Sequence, residues 1–180
     1  FGTDNTTIYM SAKSVFLFDL DGTLVVTDPV YVRTFRSMLD KHGFVVDDDW
    51  FCKHVQGRSD RVVISNLFPG HSAQFFEDMV AEKDRTFLKE LDACPLDVIP
   101  GVTSFFKCIT AAGIRCALVT NARRSAAEHI VKVLDLPMEH IVIGDECRRS
   151  KPYPDPYIRA MELMQVQPCD CVVFEDSPTG

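Results

Sequence analysis

Two aspartates one residue apart, Asp19 and Asp21, end the apolar run that begins at Val15, and Gly22 and Thr23 follow them. Continuous apolar residues mark a strand buried on both faces. A carboxylate at the end of such a strand is costly unless something pairs with it. An Asp-Gly pair alone is ordinary turn chemistry. However, three more apolar runs stop at polar or acidic residues. The run 114–120 ends at Thr120 and Asn121, 140–145 ends at Asp145, and 171–176 ends at Glu175 and Asp176. Carboxylates gathered at adjacent strand ends repel one another, and a hard divalent cation such as Mg²⁺ resolves that repulsion by binding a few carboxylates, water and phosphate oxygens. Glu175 and Asp176 complete such a metal site with Asp19.

The same residues suit phosphoryl transfer. Asp19 can attack a phosphate ester and form an aspartyl-phosphate. Asp21 can protonate the leaving oxygen and later deprotonate the attacking water. Main-chain N–H groups of the loop at Leu20 and Gly22 can receive phosphate oxygens, and Gly22 permits close backbone approach. Thr120 offers a hydroxyl, and the helix start from Asn121 adds N–H donors. Lys151, in the proline-stiffened stretch 150–156, supplies a cation that can hold both nucleophile and phosphate.

These residues need elements to hold them. The strand-like runs alternate with helical patterns at 100–113, 124–136 and 155–166. This alternation predicts an α/β fold, a Rossmann-like parallel sheet with helices on both faces. Ligands on such sheets bind beyond the carboxyl ends of the strands, where the polar residues lie. Asp155 is expected as an N-cap with Pro156 at N1, and Asp28 with Pro29 likewise. From Asp28 to Cys94 only helical patterns occur. The expected division is a catalytic core of 1–27 and 96–180, interrupted by a helical domain of 28–95. Trp50 and the phenylalanines of that insertion are expected in its own core.

The stretches "DLDGTL", "VTN", "KPYPDP" and "FEDSPTG", in this order and spacing, resemble the four motifs of the haloacid dehalogenase-like hydrolase superfamily. The helical insertion resembles the C1 cap of its β-phosphoglucomutase-like subfamily, and "GDECRRSKPYPDPYIRAMELM" and "VTNARR" resemble the plant-type sugar-phosphate phosphatases. The resemblance implies Asp19 as nucleophile and Asp21 as general acid and base, with Thr120 and Lys151 contacting the phosphate. It implies Mg²⁺ held by Asp19, the Asp21 main-chain carbonyl and Asp176, with Glu175 nearby. In the cap, "QGRSDR" falls where relatives carry a specificity loop, so Gly57, Arg58, Ser59 and Asp60 are candidate sugar contacts, and Arg124 is another. Val26 stands where many relatives carry an acid. The implied activity is a Mg²⁺-dependent phosphatase of a small phosphorylated metabolite, a sugar phosphate in the first instance. A β-phosphoglucomutase-type mutase is the alternative, and a non-catalytic binding protein that keeps the fold is a third. A dehalogenase does not need the second acid, which this chain keeps.

Composition sets outer bounds. The 180 residues carry a formal net charge of −7, which argues against generic nucleic-acid or anionic-membrane binding. The seven cysteines show no zinc-ligand spacing and several lie in apolar runs, so reduced structural thiols in a cytoplasmic, monomeric enzyme are expected. The polar segment 1–9 is assigned no role. The glycine at position 180 should open a loop or helix, and the chain is expected to continue beyond it with a further helix and strand.

Overall fold

The computed structural model describes residues 15–56, 58 and 60–178. Its main sheet has four parallel strands: β1 (Val15–Phe18), β4 (Arg115–Thr120), β5 (Met138–Ile143) and β6 (Cys171–Phe174), in the order β5-β4-β1-β6. Phe18 lies opposite both Leu118 and Phe174. That register brings the residues after each strand to one edge, as the sequence pattern predicts.

Three helices cover the sheet: α5 (Val102–Ala111), α6 (Arg124–Val133) and α7 (Asp155–Met164). Strand side chains alternate between faces. Phe16, Phe18 and Leu118 bury with Phe106, Ile109 and Ile130 of α5 and α6. Val15, Leu17, Ala117 and Val119 bury with Ala160 and Met164 of α7. The expected two-sided covering is therefore present. It fails at β6, where Val172 and Val173 are 41% and 46% exposed. Among the described residues β6 is an edge strand that pairs with β1 only, so its apolar run is half-exposed rather than sandwiched.

The segment after β1 holds four helices: α1 (Asp28–Leu39), α2 (Asp48–His54), α3 (Asp60–Leu67) and α4 (Ala73–Ala93). They enclose a second core of Phe35, Met38, Leu39, Phe51, Ile64 and Met79, with Trp50 packed against it. Two-residue strands β2 (Val25–Val26) and β3 (Asp97–Val98) pair antiparallel at the two ends of this helical segment. Such short strands show no periodicity, and the sequence does not reveal them. The caps of α1 and α7 each begin one residue earlier than predicted. Thr27 and Pro154 are the N-caps, Asp28 and Asp155 occupy the first turn, and neither cap residue makes a side-chain capping bond to its helix. Asp155 instead pairs with Arg149 at 2.8 Å.

All seven cysteines are free thiols. Among the described residues, no helix is long and apolar enough to cross a membrane.

Leu118 sits fully buried in the inner strand β4. Leu118→Ala should lower the unfolding free energy by about 2–5 kcal/mol, the range for truncating a buried leucine, as read from denaturant unfolding.

Candidate active site

The parallel register brings the ends of β1 and β6 side by side, with the Asp19 amide donating to the Phe174 carbonyl at 3.0 Å. Asp19 and Glu175 thus leave their strands at the same level. Between them lies the Lys151 ammonium, 2.6 Å from Asp19 Oδ1 and 2.8 Å from Glu175 Oε2. The lysine side chain is 4% exposed and that of Asp19 8%. Burial pushes the Asp19 carboxyl up to about 6, against the attraction of Lys151 and with a smaller push from Glu175 and Asp21. Burial also raises Glu175, but Lys151, Tyr157 and Ser177 all favour its charged form and hold it below the usual range. Tyr157 Oη donates to Glu175 Oε2 at 2.9 Å and Ser177 Oγ to Oε1 at 3.0 Å.

Asp21 accepts a 2.5 Å hydrogen bond from Thr27 Oγ1. Its carboxyl is raised, first by burial and then by Asp28 and Asp176, with the Thr27 bond and Lys151 opposing. A carboxyl raised in this way can keep a proton to donate, which a general acid requires.

Asp176 folds back against Gly22, whose φ of +82° is reserved for residues without a Cβ. A Cβ at position 22 would stand 2.2 Å from Asp176 Oδ2. Thr23 Oγ1 donates to the other oxygen at 3.2 Å. Asp19, Glu175 and Asp176 offer carboxylate oxygens within 4.8 Å of one another. Three hard oxygen donors at this spacing fit a small divalent cation. Both Glu175 oxygens already accept hydrogen bonds, from Lys151 and Tyr157 on one and Ser177 on the other, which makes Asp19 and Asp176 the better-placed pair of carboxylates for a cation.

The remaining sequence candidates divide. Thr120 is fully buried at the end of β4, and its hydroxyl accepts the Ala122 amide at 2.9 Å. The Leu20 side chain is buried in the core, leaving only its main chain near the site. The Gly22 amide donates to the Val25 carbonyl at 2.8 Å, so it is committed to the turn rather than to a phosphate. Asn121 was expected at the phosphate. Its side-chain amide instead bonds the Lys151 main chain, receiving the Lys151 N–H and donating to its carbonyl, both at 3.2 Å. It positions the lysine loop. Arg124 was expected to reach substrate. It pairs with Glu146 at 2.5 Å and Glu128 at 3.0 Å, because its turn of α6 faces the loop after β5. Its neighbour Arg123 faces the helical segment, 4.0 Å from Asp60, 3.8 Å from Asp84 and 3.5 Å from Asp145. Asp60 lies 2.8 Å from the buried ammonium of Lys83. Arg58 is exposed. Gly57 and Ser59 lie outside the described residues.

Sequence reasoning passed over Thr27, Tyr157, Lys83 and Arg123. Lys83 left a readable signal: Met79, Lys83, Phe87 and Leu91 form an i, i+4 stripe of buried residues on α4, and a lysine within such a stripe needs a buried partner. The others left none, because only the tertiary fold decides what they face.

A family model described as haloacid dehalogenase-like hydrolase matches residues 16–180. Hexitol phosphatase A of Escherichia coli is 30% identical over 169 residues, which span 92% of this chain and 75% of that protein. A phosphorylated carbohydrates phosphatase of Thermotoga maritima is 29% identical over 170 residues, spanning 91% and 76%. The crystal structure of CbbY from Rhodobacter sphaeroides in complex with phosphate superposes with a TM-score of 0.80 at 23% identity, covering 93% of this chain and 79% of that one. The chain belongs to the haloacid dehalogenase-like hydrolase family, and its fold is that family's.

Gly22→Ala should push Asp176 off its position. We expect the variant to fold, with divalent-cation affinity in calorimetry reduced at least about tenfold, given the close contact and the positive φ.

Proposed function

We propose that this haloacid dehalogenase-like enzyme is a Mg²⁺-dependent phosphatase of a small phosphorylated metabolite, a sugar or polyol phosphate, acting through an aspartyl-phosphate on Asp19. The observation that carries the proposal is the buried Asp19–Lys151–Glu175 array beside Asp21 and Asp176. The phosphatases among the relatives support it.

A bound Mg²⁺ supplies charge neutralisation for the phosphate and the cluster of acids, held by Asp19 and Asp176 with the Asp21 main-chain carbonyl. The protein's own groups do the rest. Lys151 keeps Asp19 ionised and oriented, and balances charge on the phosphoryl oxygens. Asp19 attacks phosphorus as the bond to the ester oxygen breaks, and Asp21 gives its proton to that leaving oxygen. Water then attacks the phosphoryl group and passes its proton to Asp21. The P–O bond to Asp19 breaks and inorganic phosphate leaves, with both aspartates restored. Thr120 forms the wall at the end of β4. The helical segment 28–95 acts as a cap that excludes bulk water and presents Asp60, paired with Lys83, to the leaving group.

Phosphate release from a hexitol phosphate should fall at least about a thousandfold in Asp19→Asn, since the nucleophile is lost. Wild-type turnover in that variant would overturn the proposal. An isomeric sugar phosphate in place of inorganic phosphate would assign the chain to the mutases instead. Mg²⁺ must also compete with a proton for Asp19. With that carboxyl at about 6, the ionised fraction falls as pH drops through this value. Titration of Asp19 alone makes Mg²⁺ binding about fourfold weaker at about pH 5.5 than at about pH 7.5, measurable by calorimetry at the two pH values.

A further inference from the structure

We infer that the cap-side wall of the site selects a leaving group that is neutral and rich in hydroxyls, a monophosphorylated polyol, over one bearing a carboxylate or a second phosphate. This inference rests on the phosphatase reading and narrows its substrate class.

The wall is built around Lys83. Its side chain is 3% exposed, and its ammonium lies 2.8 Å from Asp60 Oδ2 and 2.8 Å from Asp84 Oδ1. Arg123, from the core, approaches both of those acids and also Asp145. The ring of Tyr31 lies beneath the ammonium, 5.6 Å from centroid to Nζ. Tyr31 joins the wall to the chemistry, because its amide donates to the Thr27 carbonyl at 3.0 Å and the Thr27 hydroxyl donates to Asp21 at 2.5 Å. Arg123 joins it from the other side, standing two residues beyond Asn121, which holds Lys151.

Three carboxylates therefore face two cations, and the wall carries a surplus of one negative charge. Both cations already have acid partners. A carboxylate or second phosphate on the substrate would have to take Lys83 or Arg123 from those partners, leaving partly buried acids uncompensated beside a new anion. A hydroxyl group displaces nothing. The ammonium has three N–H donors and spends two on Asp60 and Asp84, leaving one for a hydroxyl oxygen. The carboxylates keep lone pairs that can accept hydroxyl protons, and the Tyr31 hydroxyl can donate or accept. The wall thus offers both halves of a polyol's hydrogen bonding and opposes further negative charge.

The test compares kcat/KM for phosphate release from hexitol 6-phosphate, a hexose 1,6-bisphosphate, phosphoglycolate and p-nitrophenyl phosphate, using the full chain with Mg²⁺. The hexitol monophosphate should exceed both anionic competitors by at least about tenfold. In Asp84→Asn that preference should shrink at least about tenfold, chiefly through a lower KM for the two anionic competitors. Should that variant fail to fold, the more exposed Asp145→Asn removes the same charge from Arg123's side and should narrow the preference in the same direction. Equal or better turnover of phosphoglycolate or the bisphosphate by the wild type would overturn the inference, and so would a preference unmoved in the folded variants. If no substrate, p-nitrophenyl phosphate included, releases phosphate, the phosphatase reading fails. Calorimetric binding to Asp19→Asn then decides the selectivity by itself. Tighter binding of the hexitol monophosphate than of the bisphosphate supports it, and the reverse order overturns it.

Discussion

The site depends on one buried ammonium between a buried carboxylate and a half-buried one. Asp19, Lys151 and Glu175 come from the end of β1, the loop before α7 and the end of β6, and each is tolerable in the interior only because the others are there. Removing one member of such an array leaves an uncompensated buried charge, at a cost of about 3–5 kcal/mol. The demands on the fold follow from this. The β1–β6 register must place Asp19 and Glu175 at one level. The loop must bring Lys151 up to them, and Asn121 clamps that loop from the end of β4. Tyr157 and Ser177 fix the far side of Glu175. A network spread over three strand ends and α7 ties the chemistry to the sheet rather than to any single loop.

The helical segment is fastened to the core by equally specific contacts. Thr27, the last residue before α1, donates to Asp21, so the entry to the segment is tied to the proposed proton-transfer acid. The β2–β3 pair ties entry to exit. On α4, Met79 belongs to the helical core, while Phe87 and Leu91 bury with Leu24 and Val30 beside the sheet. Lys83 falls between these groups on the same stripe. It thus sits where the helical segment passes over the site, and its pairing with Asp60 and Asp84 fixes the charge that a leaving group meets there.

Much of this was legible in the sequence, for definite reasons. The four strands stand out because short continuous apolar runs ending in polar or acidic residues have few other uses. The helices stand out by their periodicity and by Gly43 and Gly113, which follow α1 and α5 with positive φ. Asp19, Asp21, Lys151 and Asp176 could be singled out as candidates because the proposed chemistry requires those residue types, and the fold brings them to neighbouring strand ends. The misses share one cause. Arg123 and Arg124 are adjacent and identical in type, and only the fold decides that the first, the extended N-cap of α6, faces Asp60, Asp84 and Asp145 while the second pairs with Glu146 and Glu128. Asn121 seemed a phosphate contact because a residue after a strand is a potential donor, yet its amide meets the Lys151 main chain. Val172 and Val173 seemed interior because apolar runs do not reveal which strand lies at an edge.

Three acids at the same strand ends carry different proton affinities, and their surroundings explain the division of labour. Glu175 receives three donors and stays ionised, so it can serve as a permanent counter-charge. Asp21 has one hydroxyl donor and two nearby acids, which suits a group that must hold and release a proton. Asp19 is raised by burial and restrained by Lys151, and a cation shared with Asp176 would shift it fully to the ionised form a nucleophile needs. The sequence supplies carboxylates in each case. The difference among them is made by burial and by the donors and charges the fold places around each one, and in the proposed mechanism this difference would turn a repelling cluster into a nucleophile, an acid and an anchor.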